Sequence, residues 1–104
     1  MKNIFIYVDY IKSDYNSLIK NKAINEIHIA RSYNKAIELL ETYKGENIII
    51  DLTYDLSSDK NGYDICKYII KFNIPLLFFH IHSSDSYTQA MREELLLNGY
   101  KEFS

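Results

Sequence analysis

Asp51, Thr53 and Asp55 stand at every second position of ENIIIDLTYDLSSDKNGYD, residues 46–64. In an extended chain all three side chains project to one face. Oxygen ligands placed in this way suit a hard cation. Mg²⁺ takes carboxylates and keeps waters or phosphate oxygens as its other ligands. Asp9 closes an apolar run near the N-terminus, and His82, Ser83, Ser84 and Asp85 close a later one. A histidine and hydroxyls facing such carboxylates can protonate a leaving oxygen or hold a phosphate. His82 is the sharpest candidate, because it follows a buried-strand pattern and precedes a helical one whose N-terminus attracts anions. Taken singly, each of these residues also fits a blander role as a helix cap or loop solubiliser. His80, inside the apolar run, reads as structural and His28 as an exposed strand residue. Cys66 lies on an apolar helical face and reads as core. Asp64 complements a helix dipole.

The elements that must position these groups follow from hydrophobic patterning. NIFIYV, residues 3–8, reads as a buried first strand, followed by a polar loop with Lys12, Ser13 and Asp14 and a short helix over 15–21. EIHIA, residues 26–30, is a second strand. Ser32 is a good N-cap. Behind it Tyr33, Ala36, Ile37, Leu40 and Tyr43 share one helical face, ended by Gly45. Ile48, Ile49 and Ile50 form a β-branched run of the kind that fills a strand buried on both faces. Past Gly62, Ile65, Cys66, Ile69 and Ile70 make another helical stripe, stopped by Asn73 and Pro75. LLFFHI, residues 76–81, is a fourth buried strand. Ser86 and Gln89 read as a capping box for a helix through Ala90, Met91, Leu95 and Leu96, with Gly99 at its C-cap. Residues 100–103 read as an edge strand.

Alternation of this kind predicts an α/β fold: a parallel sheet with right-handed crossovers and helices on both faces. At 104 residues the chain fits one domain. The expected arrangement is flavodoxin-like, with strand order 2-1-3-4-5. It sets the ends of strands one, three and four side by side. Asp9, Asp51 to Asp55, and His82 to Asp85 then line one crevice.

Composition narrows the partners. The formal net charge is −2 and lysine and arginine form no run, which argues against an extended nucleic-acid surface or an anionic membrane. Cys66 is the single cysteine, so no internal disulfide forms. No stretch has the length of a signal-peptide core or a membrane span, so the expected location is cytoplasmic. The abundance of Ile, Lys, Asn and Tyr reads as the codon bias of an AT-rich bacterial or phage gene.

The motifs in this order resemble the receiver domains of response regulators, and more closely the cyclic-phosphate-processing receiver-like family. Members of that family look like L-D-D-x-R, then S-L-D-H-D-L, T-G-Y-D and H-S-x-N. Val8 and Asp9 match the start of the first motif, with Tyr10 in place of its second Asp and Lys12 in place of Arg. Leu52, Asp55 and Leu56 match the second. There Asp51 stands for Ser, Thr53 for the first Asp and Tyr54 for His. Gly62, Tyr63 and Asp64 match the third, with Asn61 for Thr. His82 and Ser83 match the fourth, with Asp85 for Asn, and Thr88 stands where a glycine is expected.

This resemblance implies a receiver-like domain that binds Mg²⁺ through Asp9 and Asp55, helped by Asp51, together with a small phosphate-bearing ligand. That ligand would be a cyclic phosphate on a nucleotide or RNA end. The metal would activate water, His82 would protonate the leaving oxygen and Ser83 would hold the phosphate, making a metal-dependent phosphoesterase. The replaced acidic positions support the alternative of a non-catalytic receiver-like module that binds a protein partner.

Overall fold

The apolar runs become the strands of one parallel sheet. The computed structural model describes residues 1–11, 23–83 and 86–103. Among these, the elements in chain order are β1 (Asn3–Val8), β2 (Glu26–Ala30), α1 (Tyr33–Tyr43), β3 (Asn47–Leu52), α2 (Gly62–Lys71), β4 (Phe78–Ile81) and α3 (Ser86–Leu97). The sheet order is β2-β1-β3-β4, and all neighbours are parallel. In place of the edge strand expected over residues 100–103, an isolated parallel bridge between Phe79 and Glu102 sets that segment beside β4. The flavodoxin-like arrangement is thus present. The expected loop at residues 12–14, the expected helix over 15–21, and Ser84 and Asp85 lie outside the described residues.

Alternation along the strands sends Ile4, Ile6, Val8, Ile48, Ile50, Leu52, Phe79 and Ile81 to one face, all buried. Ala36, Leu39 and Leu40 of α1, Ile65, Cys66 and Ile69 of α2, and Met91 and Leu95 of α3 complete that core. Each fully buried aliphatic side chain contributes about 1.5–3 kcal/mol. Ile49 points to the opposite face and is only half-buried, so the isoleucine run is less enclosed on that side than its composition suggests. Among the described residues no helix is long and apolar enough to cross a membrane.

The helix ends follow local chemistry. Ser32 accepts the Lys35 N–H at 3.2 Å and caps α1. That helix ends at Tyr43 with Lys44 as a right-handed C-cap, so Gly45 follows the helix without supplying a left-handed residue. Asn61 and Asp64 form a reciprocal capping box on α2. Asn73 takes the left-handed conformation, φ 51°, that ends α2, and the Ile74 N–H reaches back to the Ile69 carbonyl. Ser86 is already the first helical residue of α3, and the Gln89 amide is engaged by Glu93 and Arg92. The capping box expected there is therefore not formed. β4 begins two residues later than expected because its pairing starts with Phe78 opposite Ile49.

Gly62 marks the tightest constraint. A Cβ built on it would sit 1.8 Å from the Thr53 carbonyl oxygen. The α2 N-terminus is pressed against the backbone that leaves β3, and the Gly62 N–H donates to the Tyr54 carbonyl at 2.7 Å. A methyl group there must displace backbone. Gly62→Ala is expected to destabilise the fold by about 3 kcal/mol, at the upper end for overpacking. Gly45→Ala, with nothing within 4 Å of the added Cβ, is expected to stay within about 1 kcal/mol of wild type. Urea unfolding midpoints of the two variants check this, and equal midpoints would contradict the close approach.

Candidate active site at the carboxyl edge of the sheet

Parallel register brings the functional side chains together. Tyr7 pairs with Asp51 across β1 and β3, and Asp51 pairs with His80 across β3 and β4. Residues in register share a face, so Tyr7, Asp51 and His80 lie on the side opposite the core. Asp9 and His82, two positions further along their strands, follow on the same side. The His82 N–H donates to the Leu52 carbonyl, and the Asp9 N–H to that of Ala30, so backbone pairing carries both residues past their strand ends.

The His82 imidazole bridges two carboxylates. Its Nδ1 lies 2.6 Å from Asp51 Oδ1 and its Nε2 lies 3.0 Å from Asp9 Oδ2. The Tyr7 ring stacks on it, with centroids 4.9 Å apart and planes 9° from parallel. Both ring contacts act as hydrogen bonds to carboxylates only when both nitrogens carry protons. Burial works against a charged ring here. The hydrogen bond and charge of Asp51, and then those of Asp9, outweigh it and raise the His82 pKa above 6.5. The shorter Nδ1 contact orients the ring. The longer Nε2 contact, to Asp9, is the weaker of the two.

Neighbouring groups are pinned to this edge. The Ser83 hydroxyl accepts the Tyr54 N–H at 3.2 Å and ties the loop after β3 to the end of β4. The Tyr54 hydroxyl accepts from the Asn61 amide at 3.2 Å, and its ring stacks on Tyr87 with centroids 4.5 Å apart. Thr53 is buried.

Asp55 does not continue the alternation. The strand ends at Leu52, buried Leu56 draws the chain back toward the core, and Ser57 turns left-handed at φ 53°. Asp55 is left exposed, with its Oδ1 accepting the Ser57 N–H at 2.8 Å. So Asp9, Asp51 and His82 converge, Ser83 lies beside them, and Asp55 serves a turn. Tyr7 was missed, although counting back two residues from Asp9 places it on the same face.

The other titratable candidates differ in their surroundings. His28 is half-buried rather than exposed, since it pairs with Glu26 at 3.0 Å and packs on Tyr43. His80 has a buried Nδ1 without a hydrogen-bond partner among the described residues. Cys66 is buried in the core, which pushes its thiol pKa to about 12 and leaves it a poor nucleophile.

Mg²⁺ imposes a tight spacing on its ligands. Two ligands of one Mg²⁺, each at about 2.1 Å, stand at most about 4.2 Å apart. The Asp51 and Asp9 oxygens instead sit on opposite edges of one imidazole ring, which fills the space between them. Asp9 Oδ1 is also engaged, by the Ile11 N–H at 3.0 Å. Among the described residues no group of three or more His, Cys, Asp or Glu side chains is arranged to hold a metal ion. With His82 seated as it is, these residues do not fit the cation.

The family model for the cyclic-phosphate processing receiver domain matches residues 5–98. No curated protein and no solved structure matches the chain.

The raised His82 pKa carries a pH signature. A group whose folded pKa lies above its unfolded value contributes stability that is complete below the unfolded pKa, here 6.5, and is lost as pH rises through the folded one. Unfolding free energy is therefore expected to fall as pH climbs from about 6.5. His82→Gln should flatten that slope. Chemical denaturation of both proteins across this range measures it, and parallel profiles would remove the clamp from the account.

Proposed function

Because the chain belongs to the cyclic-phosphate processing receiver family, we propose that it opens the cyclic phosphate of a nucleotide or RNA end, with His82 as the proton donor. The observation that carries this reading is the imidazole held between Asp51 and Asp9. Asp51 fixes the ring through Nδ1, in the role a carboxylate plays behind a catalytic histidine. Nε2 turns from Asp9 to the leaving oxygen as the ligand enters. A water oxygen adds to phosphorus, the bond from phosphorus to the ribose oxygen breaks, and that oxygen takes the Nε2 proton. Of the two protons on the incoming oxygen, one returns to Nε2 and restores the imidazolium, and the other is released to solvent as the monoester ionises. Ser83, whose oxygen accepts the Tyr54 N–H, keeps its own proton to donate to a phosphate oxygen. Mg²⁺ has no step in this scheme.

A specific observation favours a second reading. With the ring protonated, two carboxylates still face one imidazolium, and the excess negative charge repels a phosphate anion. Two acidic positions of the family pattern are also filled by other side chains, exposed Tyr10 and buried Thr53. On that reading the clamp is structural, and the domain is a non-catalytic module for a protein partner.

Turnover of a nucleoside 2′,3′-cyclic phosphate separates the two. His82→Gln is expected to lose about a hundredfold or more in rate while staying folded, and Asp51→Asn to lose activity through misorientation of the ring. No turnover by wild type would favour the module.

Mg²⁺ is tested separately by thermal shift. The wild-type melting temperature is expected to be the same with Mg²⁺ as with a chelator. A Mg²⁺-dependent rise that Asp51→Asn abolishes would instead establish a cation site there.

A further inference from the structure

A cavity of about 300 Å³ lies between α1 and α2, and none of its lining residues belongs to the His82 cluster. Asp64, Lys67, Tyr68, Lys71 and Phe72 fall at i, i+3, i+4, i+7 and i+8, so they share one face of α2. Tyr33, the first residue of α1, and Lys60, just ahead of the α2 cap, close the upper end. The sequence spreads these lysines too thinly to read as a basic patch, and the helix gathers them.

The charge there is unbalanced. Among the described residues, no carboxylate lies within ion-pair distance of Lys60, Lys67 or Lys71, although Lys2, Lys35, Lys44 and Arg92 each have one. Asp64 is committed to the Asn61 N–H at 2.9 Å. Glu41 is held by Lys44 and by the Tyr68 hydroxyl. The ammonium groups rest instead over aromatic rings, Lys60 over Tyr33 at 5.4 Å, Lys71 over Phe72 at 5.3 Å, and Lys67 over Tyr63, a ring at the rim outside the groove lining, at 4.9 Å. Phe72 is 52% exposed and its ring meets that of Tyr68 at 4.5 Å.

Cations interleaved with ring faces suit an anion that also carries a planar ring. Ammonium groups bind phosphate as point charges, and bases stack on aromatic side chains. The volume lies at the lower end for small-molecule sites, which suits one nucleotide rather than a strand. We infer that the α1–α2 groove is a nucleotide-binding site, with Lys67 and Lys71 on the phosphate and Tyr68 and Phe72 against the base. This site is independent of the proposed hydrolysis, and its ligand needs no cyclic phosphate.

The test is a titration of the whole chain with 5′-AMP at low salt, followed by amide NMR shifts. Shifts are expected at Tyr33, Lys67, Tyr68 and Lys71. Lys67→Glu combined with Lys71→Glu, both on exposed positions, is expected to weaken binding about tenfold or more, as befits loss of charge-assisted contacts. Phe72→Ala should weaken it less, and inorganic phosphate and adenosine should each bind more weakly than 5′-AMP. Lys35→Glu should leave affinity unchanged. Four outcomes would overturn the inference. They are no shifts at millimolar 5′-AMP, shifts confined to Asp9, Asp51 and His82, affinity insensitive to the lysine reversals, or equal affinity for inorganic phosphate, which would mark a plain anion patch.

Discussion

Parallel pairing of β1, β3 and β4 in one register underlies everything at the carboxyl edge. Tyr7, Asp51 and His80 stand opposite one another, and Asp9 and His82 follow one pleat further on. A slip of one residue in any of these strands would send its polar residues to the face filled by Ile6, Ile50 and Phe79. It would also expose isoleucines to water, at about 1.5–3 kcal/mol for each. The hydrophobic face therefore holds the register, and the register holds the clamp on His82. The polar groups need not stabilise the fold to be positioned by it.

A second constraint acts behind the site. The start of α2 approaches the backbone after β3 so closely that only glycine fits at position 62. The Asn61–Asp64 box fixes the first turn of that helix, Asn61 holds the Tyr54 hydroxyl, and Ser83 holds the Tyr54 N–H. Residues that read as a motif around Gly62 thus act by shaping the loop. Asn61 fills the place of a threonine without loss of that role, since both side chains cap a helix well. Asp64 works as the acidic member of the box, which agrees with the dipole reading and adds a specific bond.

The substitutions divide by consequence. Asp51 is bonded to the catalytic candidate, while Asp55, the residue that matches the family pattern, is turned to Ser57. Matching by letter pointed to one carboxylate and geometry selected the other. The difference comes from where β3 stops. Alternation transmits direction only while the backbone stays extended, and the burial of Leu56 ends that extension. The same limit applies at Ser86, where a capping pattern in the letters falls inside the helix.

Much of this protein was legible in its residues. Apolar runs with period two and stripes with period 3.6 located every described strand and helix, because burial imposes those periods on any chain of this size. Strand-end polarity pointed to Asp9, Asp51 and His82, because a buried strand can turn polar only where it leaves the core. What remained hidden depends on distances between segments far apart in the chain. The doubly bonded His82 ring, the Tyr7 stack on it and the engagement of both carboxylates by one imidazole are set by side-chain packing across three strands. So is the gathering of Lys60, Lys67 and Lys71 against the rings of two helices. Local pattern says which face a residue takes. Only the assembled sheet and helices decide which groups meet there, because that depends on register, crossing and the ends of elements, and none of these repeats with a period.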